Sequence, residues 1–192
     1  MKKLIGPKKI KTAVFISGKG SNLKNLIKFS KLKIYPFSVN LIISDSNKAK
    51  GLKYSKQYKI AKKIINYNKK KEAEKKILHA LKQKKIKLIC LAGFMKILSS
   101  NFIKKFHGKI INIHPSLLPK YKGLNTHNRA IKNGEKFAGC TVHYVTSKLD
   151  SGKIILQKKV KISEKDTPFS LAKKVLKKEH LIYPAAIKKI LN

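Results

Sequence analysis

Thr12-Ala13-Val14-Phe15-Ile16-Ser17-Gly18-Lys19-Gly20-Ser21-Asn22-Leu23 is the stretch from which the fold can be read. A short continuous apolar run reads as a strand buried on both faces. It passes through a glycine-rich turn into a helical pattern carrying Leu23, Leu26 and Ile27. Backbone N–H groups at such a helix start point at whatever sits above the sheet edge, which suits an anion and a phosphate best. The turn lacks the Gly-Lys-Ser/Thr ending of a nucleotide-triphosphate loop and the third glycine of a dinucleotide fingerprint. The plain alternative is a strand-to-helix turn with Ser21 or Asn22 as the cap.

Outward from this unit, strands and helices alternate. Strands are expected over 39–44, 60–65, 87–93 and 109–114, with helices over 47–58, 69–84 and 99–106, the last capped by Ser99 or Ser100. This alternation predicts a single α/β domain with a mostly parallel twisted sheet and helices on both faces. A long polar stretch, 116–139, carries one short helix near 128–133. Strands over 140–145 and 153–162 have no helix between them and should add to the sheet antiparallel. A final helix over 167–190 should bend or break near Pro184. Residues 1–11 read as a basic lead-in, 12–105 as a phosphate-binding half and 106–192 as a catalytic half.

The chain has 192 residues, 42% of them hydrophobic, with 10 glycines and 6 prolines. That excludes collagen-like and wholly disordered classes. No apolar run approaches the roughly 18 residues of a membrane span. The basic start has no signal-peptide apolar core. Cys90 and Cys140 each lie in an apolar run, as buried thiols of a reducing cytoplasm do.

The formal net charge is +39. A cationic surface attracts phosphate backbones. Yet of the 47 basic residues only Arg129 is arginine, leaving 46 lysines spread over the whole chain. Base and phosphate recognition favours the planar arginine fork. A compositionally biased, solvated surface therefore competes with an evolved nucleic-acid face, and the reading favours no specific nucleic acid. The chain has only eight carboxylates: Asp45, Glu72, Glu74, Glu135, Asp150, Glu164, Asp166 and Glu179.

Asn112-Ile113-His114-Pro115 closes a strand. Side chains alternate along a strand, so Asn112 and His114 share one face and Ile111 and Ile113 the other. An amide beside an imidazole at the carboxyl end of a strand suits a developing oxyanion. It also suits a polar pair that merely binds the following loop. Leu149-Asp150-Ser151-Gly152 reads as a turn. A carboxylate there would keep a nearby imidazole protonated or relay protons through water.

Taken in order, Ile16-Ser17-Gly18-Lys19-Gly20-Ser21-Asn22-Leu23, Leu91-Ala92-Gly93-Phe94-Met95-Lys96-Ile97-Leu98, Asn112-Ile113-His114-Pro115-Ser116-Leu117-Leu118-Pro119-Lys120-Tyr121, Thr141-Val142-His143 and Leu149-Asp150-Ser151-Gly152 resemble the phosphoribosylglycinamide formyltransferases. The resemblance runs from about Thr12 to Leu191. It implies a Rossmann-like formyltransferase fold and transfer of a formyl group from 10-formyltetrahydrofolate to the amine of glycinamide ribonucleotide, without a metal. It implies Asn112, His114 and Asp150 as catalytic residues: Asn112 on the formyl oxygen, His114 as imidazolium beside the oxyanion, Asp150 on His114 and a proton-carrying water. Gly20, Ser21 and Asn22 would hold the substrate phosphate and Glu179 its ribose. Phe94, Met95, Lys96, Ile97 and Leu98, with Val145 to Asp150, would wall the folate pocket. Thr141 and His143 would lie near the site, either supporting its residues or serving the structure. Small-molecule partners, no membrane, a monomer or homodimer, and a cytoplasmic location follow.

Two departures stand out: Lys96 where the family usually carries Arg, and Lys122 where Pro is common. Of the rivals, methionyl-tRNA formyltransferase should need a further C-terminal domain beyond Ile190, and formyltetrahydrofolate hydrolase an N-terminal one. A non-catalytic nucleic-acid binder should show a recognition motif, and none is legible.

Overall fold

The computed structural model describes residues 9–192, so the greater part of the basic lead-in lies outside the described residues. The elements run β1 (Ile10–Ile16), α1 (Ser21–Lys31), β2 (Phe37–Ser44), a 3-10 turn (Lys50–Leu52), α2 (Lys53–Tyr58), β3 (Ala61–Ile64), α3 (Lys70–Gln83) and β4 (Leu88–Leu91). They continue with α4 (Ser100–Lys105), β5 (Lys109–His114), α5 (Thr126–Lys132), β6 (Phe137–Tyr144), β7 (Ile154–Lys161) and α6 (Pro168–Leu191). The seven strands form one sheet in the order β3-β2-β1-β4-β5-β6-β7. The first five are parallel, and β6 and β7 add antiparallel, as the missing helix between them predicts.

Period-two alternation divides the core into two layers. Val14 and Ile16 of β1 join Ile111 and Ile113 of β5 under α1 and α6. Ala13, Phe15 and Ile89 face α3 and α4. Connections from β1 run toward β2 on one side, and the chain returns through α3 to β4 on the other. The order therefore reverses between β1 and β4, and the crevice above their carboxyl ends is where open α/β sheets take ligands. No described helix is long and apolar enough to cross a membrane.

Three local expectations need correction. The segment expected as one helix over 47–58 is a 3-10 turn followed by the six-residue α2, because Gly51 packs against the glycine turn. β6 begins at Phe137, three residues inside the stretch expected to be irregular, and pairs with β7 along its length. α6 continues unbroken through Pro184, which is buried against the sheet together with Tyr183 and Ala186. Tertiary packing outweighs the helix-breaking tendency of proline there. Its start carries the hydroxyl capping box of Thr167 and Ser170.

Candidate active site

The glycine turn comes first in chain order. Gly20 caps α1 in the left-handed conformation (φ 72°), and no side chain caps the helix, so neither Ser21 nor Asn22 fills that role. The free N–H groups at this helix start remain available to a ligand. Gly51 supports the turn from behind, its N–H donating to the Gly18 carbonyl at 2.9 Å. Asn22 turns toward α6, where its amide donates to Glu179 Oε2 at 2.6 Å. Both residues are buried, and burial raises the Glu179 pKa while the Asn22 bond lowers it. Glu179 keeps a second carboxylate oxygen for a hydroxyl donor.

Asn112 and His114 lie on one face of β5, as expected. The antiparallel register places His143 opposite Asn112 and Thr141 opposite His114. His143 Nδ1 lies 2.8 Å from the Tyr144 carbonyl, which can only accept, so Nδ1 carries the proton. His143 Nε2 then accepts from Asn112 Nδ2 at 3.2 Å. The second Asn112 amide hydrogen points toward Asp150 Oδ1 at a long 3.5 Å. The reverse amide orientation would set oxygen against carboxylate. Thus Asn112 presents a donor whose direction is dictated by two neighbours and whose second hydrogen is weakly engaged.

His114 Nε2 donates to the Tyr121 carbonyl at 2.9 Å, and its Nδ1 lies 3.3 Å from Asp150 Oδ2. The same carboxylate oxygen accepts the Gly123 N–H at 2.9 Å, and Oδ1 lies 3.6 Å from His143 Nε2. Burial opposes ionisation of Asp150. The His143 ring when it also carries a proton on Nε2, the Gly123 N–H and a protonated His114 ring overcome it and hold the carboxyl below its ordinary range. For His114, burial lowers the imidazole pKa and outweighs the raising effects of Tyr121 and Asp150. Burial thus works against an imidazolium at His114, while its two neighbours work for one. The ring sits between two acceptors that would bind both N–H groups of an imidazolium once a negative charge develops nearby.

Residues 92–98 form a lip of the same cleft. Phe94 packs edge-on against Phe15 and Tyr67, and Leu98 is buried, while Met95 and Ile97 are 63% and 58% exposed. Lys96 lies 3.9 Å from Asp45. Val145 is half-buried beside this lip. One cleft of about 1190 Å³ is lined by Gly20, Ser21, Asn22 and Glu179, by Asn112, His114 and Asp150, and by residues 94–98 with Val145.

Several contributors were not visible in the sequence. The Tyr121 carbonyl and Gly123 N–H act through backbone, which leaves no residue-type signal. Of the two roles expected for His143, the structure favours support: it orients Asn112, a contact set by strand register. Thr126 and His127 of α5 line the same cleft, and Thr126 Oγ1 and His127 Nδ1 are buried without a hydrogen-bond partner among the described residues.

The formyl transferase family pattern matches residues 10–187. The chain belongs to the formyl transferase family. It is 41% identical over 181 residues to the phosphoribosylglycinamide formyltransferase of Haemophilus influenzae, covering 93% of this chain and 85% of that protein. It is 40% identical over 183 residues to the human trifunctional purine biosynthetic protein adenosine-3, covering 94% of this chain. The chain spans only 18% of the length of that larger relative. Among solved structures, the phosphoribosylglycinamide formyltransferase of Brucella melitensis superposes with a TM-score of 0.90 at 42% identity, covering 95% of this chain and 96% of that one. The family's α/β architecture, parallel sheet and antiparallel additions are those described above.

The buried imidazoles of this formyl transferase fold make stability pH-dependent. His114, His127 and His180 all have pKa values lowered from 6.5, each chiefly by burial. The unfolded chain then binds more protons than the folded one below that pH, so their contribution is present above 6.5 and lost on acidification. Glu179, raised above 4.5, acts in the opposite sense: its contribution is present below 4.5 and lost as pH rises through its folded value. Three rings against one carboxyl predict a Tm that falls as pH drops from about 6.5 toward 5. A thermal-melt series between pH 8 and 5 checks this, and a Tm that rises on acidification would contradict it.

Proposed function

We propose that the chain transfers the formyl group of 10-formyltetrahydrofolate to the amine of 5′-phosphoribosylglycinamide, giving the formylated amide and tetrahydrofolate for purine synthesis. One observation carries the reading: a helix-start anion site, a carboxylate set between two histidines beside an amide donor, and an apolar lip line one cleft. The names of relatives of matching length support the same acceptor.

The substrate amine attacks the formyl carbon and a C–N bond forms while the carbonyl oxygen becomes an oxyanion. Asn112 donates its weakly engaged hydrogen to that oxygen. His114 takes a proton from solvent as the substrates bind and returns it when the oxyanion collapses; in between it faces the oxyanion as an imidazolium, its two N–H groups bound by the Tyr121 carbonyl and Asp150. Asp150, ionised at neutral pH, accepts the amine proton through water and returns it to the folate nitrogen as the carbon–nitrogen bond to the donor breaks. Gly20, Ser21 and Asn22 hold the phosphate, and Glu179 the ribose hydroxyls. The phosphate end thus draws on residues 12–105 together with Glu179. The folate end draws on 106–192 together with Phe94, Met95, Lys96, Ile97 and Leu98. Flat pterin contact suits the exposed Met95 and Ile97. Partners are small molecules, with no specific nucleic acid, and the protein acts as a monomer or homodimer. The two buried free cysteines support a reducing cytoplasm.

The test is a formyl-transfer assay with the purified chain and the formyl folate. Glycinamide ribonucleotide, charged initiator tRNA and water are offered as separate acceptors. Turnover with the ribonucleotide alone is expected. Turnover only with tRNA, or with none of the three, overturns the proposal.

A further inference from the structure

The lip formed by residues 92–98 is irregular chain between β4 and α4. Among the described residues, the N–H groups of Phe94, Lys96, Ile97 and Leu98 have no hydrogen-bond acceptor. A segment with free backbone donors can bind a ligand through its main chain, and then its placement matters more than its side chains. Its anchors are therefore decisive. At the β4 end, Ser17 N–H donates to the Gly93 carbonyl at 3.0 Å and Met95 N–H donates to Ser17 Oγ at 2.8 Å. At the α4 end the anchor is Glu74. Ser99 N–H donates to Glu74 Oε1 at 2.7 Å, and Ser99 Oγ donates to Glu74 Oε2. Ser99 Oγ in turn accepts the Phe102 N–H at 3.0 Å and caps α4.

Glu74 is one of eight acids in the chain, yet it is 5% exposed. It sits on the α3 face otherwise made of Ala73, Ile77, Ala80 and Leu81. A buried carboxylate is unfavourable unless both oxygens find donors, and here both donors come from one residue, Ser99. α3 packs beneath the sheet and does not line the cleft. Its carboxylate reaches the site only through the far end of the lip.

We infer that Glu74 is a positioning residue for the folate lip: it fixes the α4 end of residues 92–99, as Ser17 fixes the β4 end, and so sets affinity for the formyl donor without touching it. The kinetic part rests on the proposed function. The mechanical part does not.

The experiment compares the full chain with Glu74→Ala, Glu74→Gln and Ser17→Ala. It reads KM for each substrate, kcat, Tm and amide hydrogen exchange over 93–99. Glu74→Ala should raise KM for the formyl donor about tenfold, the size seen when the outer support of a binding group is removed. KM for the ribonucleotide and kcat should stay within about twofold, since neither the phosphate end nor the reacting centre is moved. Glu74→Gln keeps an acceptor for Ser99 N–H and should fall between, a partial rescue that a general loss of stability would not give. Exchange over 93–99 should speed up in the order Gln, then Ala. If Glu74→Ala does not fold, Ser17→Ala carries the same test from the other end. Unchanged donor KM, or equal losses in both KM values and kcat, overturns the inference. If the wild-type chain uses no formyl donor, it is the functional reading that has failed. Exchange then decides alone, and an unchanged rate over 93–99 overturns the anchor.

Discussion

Replacing Asp150 with asparagine lowers turnover by about three orders of magnitude and leaves the fold intact, the scale at which acid–base and oxyanion support together act. Asparagine is the informative choice. Asp150 has φ 45°, a left-handed conformation that asparagine tolerates and most residues do not. The turn therefore survives, and Gly123 N–H can still be accepted. What disappears is the charge between His114 and His143. Without it, an imidazolium at His114 keeps only a neutral oxygen as its second acceptor, and burial already disfavours the charged ring. His114→Ala should fall by a similar amount. The double variant should be little worse than either single one, because the two residues act as one unit. Steady-state kcat, with circular dichroism to establish folding, measures this. A tenfold loss or less in Asp150→Asn would remove Asp150 from the mechanism.

The second large effect is expected at a glycine behind the site. A Cβ on Gly51 would lie 2.7 Å from Ile16 Cδ1, 2.9 Å from Gly20 Cα and 3.2 Å from Gly20 N. The isoleucine tip can move aside. The Gly20 backbone cannot do so without changing the turn it belongs to, whose N–H groups are the proposed phosphate cradle. A Cβ on Gly20 itself would lie 2.7 Å from Gly51 Cα, on a residue that already has positive φ. Gly51→Ala and Gly20→Ala should each raise KM for the ribonucleotide about a hundredfold, the effect of misplacing a binding group by roughly 1 Å. kcat at saturation and KM for the formyl donor should change much less. Equal rises in both KM values would show that the turn does not serve the ribonucleotide alone.

The contrast between these two tests marks what could be read from sequence. β1, the glycine turn and β5 were legible because apolar runs bounded by turn residues have one physical explanation. The shared face of Asn112 and His114 followed from strand periodicity alone. The role of Gly51 did not, since a glycine inside an apparent helix carries no sign of the backbone that will press against it. Nor did His143, whose position opposite Asn112 depends on antiparallel register between strands 22 residues apart at their closest ends. Glu74 looked like any helix acid until its burial was known. The charge was the reverse case, conspicuous and uninformative. Among the described residues only Lys69, Lys96, Lys120 and Lys174 lie within 4 Å of a carboxylate, so nearly all the described lysines lack an acidic partner.

The bond between Asn22 and Glu179 joins residues 157 positions apart. On a ribosome the glycine turn emerges early and the helix that secures Asn22 emerges late. Domains gain their native contacts as the chain lengthens, and long-range closures form last. The end of the cleft proposed to hold the phosphate is thus the last part of this fold to be secured. A nascent chain would carry a nearly complete sheet well before Asn22 found its partner in α6.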